Sequence, residues 1–163
     1  MAEVRITKNF WIPFLDIGAP EATAADWGRI DKSTVFEIAA NPQTEDVDFI
    51  NQEAAQTELR YYKPTMDQEI ACYRGNPMYD FLAPMFFRLK VEEAVIPCLV
   101  VFPKLTDAAT SAPAWLYDEA LVVFNTLSST DGKIAFTINF NGEKQLGTVV
   151  VTDGKPVFTQ DAA

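Results

Sequence analysis

From Lys133 to Asn141 the chain alternates: Ile134, Phe136, Ile138 and Phe140 fall on one side, Ala135, Thr137 and Asn139 on the other. Successive side chains of a pleated backbone point to opposite faces, so a period of two predicts a strand with one buried face. The same period runs through Thr65–Arg74, TMDQEIACYR, where Met66, Gln68, Ile70, Cys72 and Arg74 oppose Thr65, Asp67, Glu69, Ala71 and Tyr73. It also runs through STVFEIAA at 33–40, with Thr34, Phe36 and Ile38 against Val35, Glu37 and Ala39. Asn41-Pro42 ends that strand, and Thr57–Lys63 returns as another before Pro64. A chain patterned in this way has to build sheets.

The rest of the second half reads as strand as well. AVIPCLVVF at 94–102 is apolar throughout and predicts burial on both faces, with Pro97 pointing to an edge or a bulge. Leu105–Pro113 reads as a loop, and WLYDEALVVFNT at 115–126 as one further apolar run. Asn141-Gly142 and Asp153-Gly154 are hairpin signals, which predict a three-strand meander through 146–152 and 156–160.

One segment reads as a helix. Gly75-Asn76-Pro77 supplies an N-cap and a proline at the first helical position, where its missing N–H costs nothing. Apolar residues follow at 78, 81, 82, 85 and 86, one face of a helix. Pro84 is expected to kink or end it, because proline removes a backbone bond and clashes with the preceding turn. The predicted fold is therefore mainly β, a sandwich or barrel of two packed sheets with one flanking helix, in a single domain over residues 1–163.

Two stretches fit neither period. Residues 1–32 carry Phe10, Trp11, Phe14 and Trp27 among glycine, proline and alanine, and read as an extended arm. Residues 43–56 form a polar, acidic excursion, expected as a long β-hairpin loop, with Glu45, Asp46, Asp48 and Glu53 around one apolar pair, Phe49-Ile50. A long surface excursion in a small domain usually serves function, and that pair needs a partner surface.

Charge and residue content remove several classes of chemistry. Thirteen basic against twenty-three acidic residues give a net charge of −10, which opposes any grip on nucleic acid through phosphates. The chain has no histidine, so triads built on His and His-bound metals are excluded. No glycine-rich phosphate loop is present. Asp67 with Glu69, about 7 Å apart on one strand face, or Glu45, Asp46 and Asp48, could act as an acid and base; solvated acids are the commoner case. The acids of Thr44–Asp48 lack the spacing of a calcium loop. Trp115, Tyr117, Tyr61 and Tyr73 could stack bases, but core packing suits them better at this charge. Cys72 and Cys98 sit in strand-like runs and are expected to be buried free thiols. The N-terminus lacks a signal-peptide pattern, and no window approaches the ~18–20 apolar residues of a membrane span. Neither a cofactor nor a metal is expected, and enzymatic activity is not.

The order of these segments resembles the major tail tube proteins of long-tailed bacteriophages. The resemblance rests on a strand ending in Asn41-Pro42, the Thr44-Glu45-Asp46 excursion, Thr57-Glu58-Leu59 through Tyr62-Lys63-Pro64, and the Gly75-Asn76-Pro77 helix start. Asp131-Gly132-Lys133, Ile138-Asn139-Phe140-Asn141-Gly142, Gly147-Thr148-Val149 and Pro156-Val157-Phe158 extend it to roughly Ser33–Thr159. It implies a structural virion protein that forms hexameric rings, stacked into a hollow tube through which DNA passes without specific binding. It also implies tail tip or baseplate, tape measure and tail terminator proteins as partners, and a place in the virion tail after assembly in the host cytoplasm. Glu37, Asp67 and Glu69 then become candidates for the lumen wall. Phe10, Trp11, Phe14, Phe49 and Ile50 become candidates for inter-subunit contacts, with stacking through residues 1–16, 43–56 and the last few residues. Two alternatives are the inner tube of a contractile tail or injection particle, and a β-sandwich binding module that does not polymerise.

Overall fold

Alternate residues of one strand, Cys98–Val101, enter two different cores: Cys98 and Val100 join one cluster, Leu99 and Val101 the other. That division organises the molecule. The computed structural model describes residues 3–19 and 23–162. In chain order the strands are β1 Ile12–Asp16, β2 Trp27–Arg29, β3 Ser33–Ala39, β4 Pro42–Val47, β5 Gln56–Tyr62 and β6 Thr65–Ala71. The helix α1, Pro77–Arg88, comes next, followed by β7 Cys98–Val101, β8 Ala112–Tyr117, β9 Leu121–Ser128, β10 Lys133–Asn139, β11 Gln145–Thr152 and β12 Lys155–Gln160. They form a six-stranded sheet in the order β12-β11-β8-β7-β1-β2, a four-stranded sheet β3-β6-β10-β9, and a separate ribbon β4-β5.

The six-stranded sheet curls towards closure. Its terminal strands approach each other, and Lys155 Nζ near the start of β12 donates to Asp26 Oδ1 at 2.9 Å and to the Trp27 carbonyl at 3.1 Å. Inside the curl lie Phe14, Leu99, Val101, Ala112, Ala114 and Val149. Small residues suit so narrow an interior. At Gly147 a Cβ would sit 2.3 Å from the Thr159 carbonyl oxygen and 2.6 Å from the Phe158 ring, so only glycine fits.

The second, larger core lies between the outer wall of the curl and the four-stranded sheet. Leu15, Cys98, Val100 and Tyr117 meet Met66, Ile70, Val122, Ile134, Phe136 and Ile138, with Met78, Leu82 and Met85 of α1 alongside. The alternation expected for 133–141 is present: Ile134, Phe136, Ile138 and Phe140 are buried. The architecture is mainly β, with two packed sheets and one flanking helix.

Asn76 caps α1 as its sequence predicts, accepting from the Met78 and Tyr79 amides at 2.9 and 3.4 Å, with Pro77 at the first helical position. Of the two outcomes expected at Pro84, an end to the helix does not occur; α1 continues to Arg88, and Pro84 lies on its exposed side. Burial of Leu82 and Met85 on the opposite face offsets the lost bond.

Other expectations require correction. Residues 1–32 are not an arm throughout: Glu3–Thr7 is irregular and exposed, but β1 and β2 are integral to the curled sheet. Met1, Ala2, Pro20, Glu21, Ala22 and Ala163 lie outside the described residues. Phe14, expected to be covered only on assembly, is 1% exposed within one chain because it pairs with Leu99 inside the curl. The run 115–126 is two strands in two different sheets, split at Asp118–Ala120. Asn141-Gly142 connects β10 of one sheet to β11 of the other, so the expected meander reduces to the β11–β12 hairpin at Asp153-Gly154. Pro97 does not mark an edge; β7 begins one residue later, between β1 and β8, and the Pro97 carbonyl accepts from the Asp16 amide at 3.0 Å.

Candidate functional site

The outer face of the four-stranded sheet gathers the three carboxylates singled out in the sequence. β3 pairs antiparallel with β6 so that Glu37 lies opposite Asp67 and Val35 opposite Glu69. Met66, Gln68 and Ile70 turn inward and are buried, which leaves Asp67 and Glu69 outward with Glu37 beside them. The face extends across β10 and β9, where Thr137 and Val123 continue the Glu37–Asp67 row.

Hydrogen bonds order this face across three strands. Asn125 Nδ2 donates to Thr137 Oγ1 at 3.0 Å, and Thr137 Oγ1 donates to Asp67 Oδ1 at 2.8 Å. Glu69 is 3.5 Å from Lys133 Nζ, so one of the three acids is paired. Lys133 and Thr137 belong to the outward set of the alternating β10, and their part in the face was legible from the same period that placed Asp67. The pairing of strands that brought them there was not.

The acidic excursion is the long β-hairpin expected of it, a two-stranded ribbon in which β4 pairs with β5 from Pro42–Tyr62 to Val47–Gln56. Its acids are dispersed: Glu45 accepts from Arg60 Nε at 2.7 Å and Asp46 from Thr57 Oγ1 at 2.8 Å, on opposite faces of β4. Phe49 and Ile50 stand at the tip, with Ile50 wholly exposed. Among the described residues, no three acidic or cysteine side chains converge as a metal group would require. Phe10 is half-exposed at the end of the short 3-10 turn Lys8–Phe10, and Trp11 is half-buried.

Trp11 lines a groove of about 930 Å³ at the β3 edge of the sandwich, together with Phe36, Ile38, Tyr62, Phe102 and Trp115. Phe102 meets Trp115 edge-on at 4.7 Å between ring centres, and Lys144 Nζ lies 4.8 Å over the Trp115 ring. The sequence did not reveal this groove, because its lining comes from six separate segments of the chain. Tyr117, one of the four aromatics weighed for stacking, belongs to the core, and Tyr73 lies beneath Lys32 Nζ at 4.7 Å. Both cysteines are free. Burial pushes the Cys98 thiol far up and raises Cys72 as well, so neither is poised as a nucleophile. No helix among the described residues is long and apolar enough to cross a membrane.

No protein-family model matches the chain, and no curated protein does. Solved structures do match in fold. One is a chain of the virion of a native gene transfer agent particle, at TM-score 0.58 and 11% identity, covering 87% of this chain and 98% of that one. A second is a chain from the tail of an empty gene transfer agent particle with C6 symmetry, at 0.54 and 12%, covering 86% and 97%. A third comes from the sheath/tube terminator of an extracellular contractile injection system in its extended state, at 0.53 and 9%, covering 90% and 99%. These coverages span nearly the whole of each chain, so the likeness is one of entire folds rather than of a shared fragment.

Proposed function

We propose that this chain is a tail tube subunit, whose copies join into hexameric rings and stack into a hollow conduit for DNA. The observation that carries the reading is the four-stranded sheet. It is antiparallel throughout, β3 and β9 are its two edges, and its outer face presents Glu37, Asp67 and Glu69. Three reversals separate β3 from β9, so the two edges run in opposite directions. A β9 edge laid against the β3 edge of the next copy would therefore continue the antiparallel order. Such closure removes exposed edges, which are otherwise a hazard for uncontrolled pairing. The fold-level likeness to a chain of a C6-symmetric gene transfer agent tail supports the same reading.

In that arrangement the acids line the bore. Carboxylates there repel phosphate within a Debye length of about 8 Å at physiological salt, which keeps DNA sliding rather than bound. The ribbon tip with Phe49 and Ile50, the segment around Phe10 and Trp11, and the chain termini serve stacking between rings. Tail tip or baseplate, tape measure and terminator proteins are the further partners, and the assembled product resides in a virion tail built in the host cytoplasm. The role is structural, with no catalytic step. A second reading, the inner tube or tube terminator of a contractile particle, draws support from the likeness to the contractile injection system chain.

Negative-stain electron microscopy of the purified protein, beside sedimentation at several concentrations, tests the reading. Six-fold rings or hollow tubes are expected. A single small species that neither grows with concentration nor responds to an added tail initiator would point instead to a non-polymerising binding module.

A further inference from the structure

The sandwich is plugged on one side and open on the other. On the β9 side, α1 covers the inner face, with Phe86 edge-on to Phe124 at 5.5 Å. On the β3 side, the groove beneath Phe36 and Ile38 stays open between the sheets. Those two residues share the inward face of β3, since they pair with the buried Gln68 and Met66.

The end of α1 is unusually apolar where it leaves the core. Pro84 and Phe87 occupy its outer face one turn apart, and Leu89 and Val91 follow; Phe87 is 89% exposed and Val91 86%. A helix face turned to water is ordinarily polar, and a contiguous exposed apolar group marks a contact surface.

We infer that the C-terminal turn of α1 in one copy, led by Phe87 with Leu89 and Val91, inserts into the groove beneath β3 of the next copy. The inference rests on the ring reading above. Joining β9 to a neighbour's β3 brings these two features together, because both lie on the inner side of the joined sheet, one at each edge. The free part of the β9 edge favours the same match. Val95 already pairs with Leu121, which leaves the stretch from Val123 to Ser128 open, and Leu127 shares a surface hollow with Phe86, Phe87 and Leu89. A neighbouring β3 laid there comes alongside the last turn of α1. The chain's own ribbon does not compete, since Tyr62 and Pro64 at its base form the groove rim, and six paired residues carry its tip about 20 Å away. The ribbon tip of another copy is the rival occupant.

The test uses disulfide trapping in a Cys72→Ser background, with Cys98 left in place because it is wholly buried. Phe87→Cys and Ala40→Cys chains, mixed and mildly oxidised, are expected to form a crosslinked dimer that neither variant forms alone. Phe87→Glu should stay folded, as the side chain is exposed, and raise the concentration needed for assembly roughly tenfold or more. Rings or tubes without this crosslink overturn the inference and leave the tube reading standing. So does a crosslink between Ile50→Cys and Ala40→Cys in place of the Phe87 pair. Crosslinked chains that never close into rings uphold the contact and overturn the tube reading, and a chain that stays monomeric at every concentration overturns both.

Discussion

Glu37 stands directly across from Asp67 in the β3–β6 pair, two like charges in register on an exposed sheet face. Directly opposed like charges destabilise a sheet, and nothing cationic among the described ion pairs relieves these two; Lys133 is engaged with Glu69 one row away. Glu37→Lys in the isolated chain is therefore expected to raise stability by roughly 0.2–1 kcal/mol, the low end favoured because Glu37 is exposed. Urea midpoints of the two proteins measure it. An unchanged or lower midpoint would mean that the two carboxylates do not oppose each other in solution. A gain would also indicate that the acids are kept for a reason other than folding.

Gly147 predicts the opposite sign. Ala at this site has no room, since the nearest obstacle is the Thr159 backbone carbonyl rather than the end of a flexible side chain. Gly147→Ala should cost about 1–3 kcal/mol and loosen the β11–β12 hairpin first. Hydrogen exchange of the Thr148–Thr152 amides beside a thermal melt would report both effects. Full tolerance of the substitution would contradict the curled closure at β12.

Asn76 carries two duties at the start of α1. Its Oδ1 caps the helix while its Nδ2 donates to Asp31 Oδ1 at 2.8 Å, tying α1 to the turn before β3. Asn76→Ala is expected to cost about 1–2 kcal/mol. Asn76→Asp keeps the capping oxygen yet faces Asp31 with a second negative charge, so it should also lose stability, and by less at raised salt. If Asp at position 76 were as stable as Asn at low salt, the Asp31 contact would have no energetic weight.

What could be read from the sequence follows from how each element is buried. β10 was legible because one face meets the core and the other does not, which writes the period of two into Ile134, Phe136 and Ile138. The Asn76-Pro77 start was legible because capping is local chemistry. β1 was not: Pro13, Phe14 and Leu15 are all buried, so five residues carry no alternation, and Phe14 looked like an aromatic in search of a partner. Asp118–Ala120 turns the chain between sheets without glycine or proline, and Ala120 is itself buried, which hid the break in 115–126. Asn141-Gly142 announced a reversal correctly, with Gly142 at φ 80°. A turn dipeptide specifies a change of direction and not the strand that the chain meets afterwards. The three carboxylates were legible as members of outward faces, whereas the groove and the exposed end of α1 arise only from tertiary placement.

The lumen assignment makes the strongest functional prediction. If Glu37, Asp67 and Glu69 line the bore, each ring repeats the set around passing DNA, and reversing its sign converts repulsion into many weak phosphate contacts. Counterion release makes such contacts additive and sensitive to salt. Particles carrying Asp67→Lys and Glu69→Lys should assemble normally, because both positions are outward, and should eject DNA more slowly. The delay should shrink as ionic strength rises. Adding Glu37→Lys should lengthen it at constant salt. Ejection followed by a DNA-binding dye, with tube length checked by electron microscopy, separates a transport defect from an assembly defect. Intact tubes that eject at the parental rate would remove these residues from the bore and leave their sheet face on the outside of the assembly.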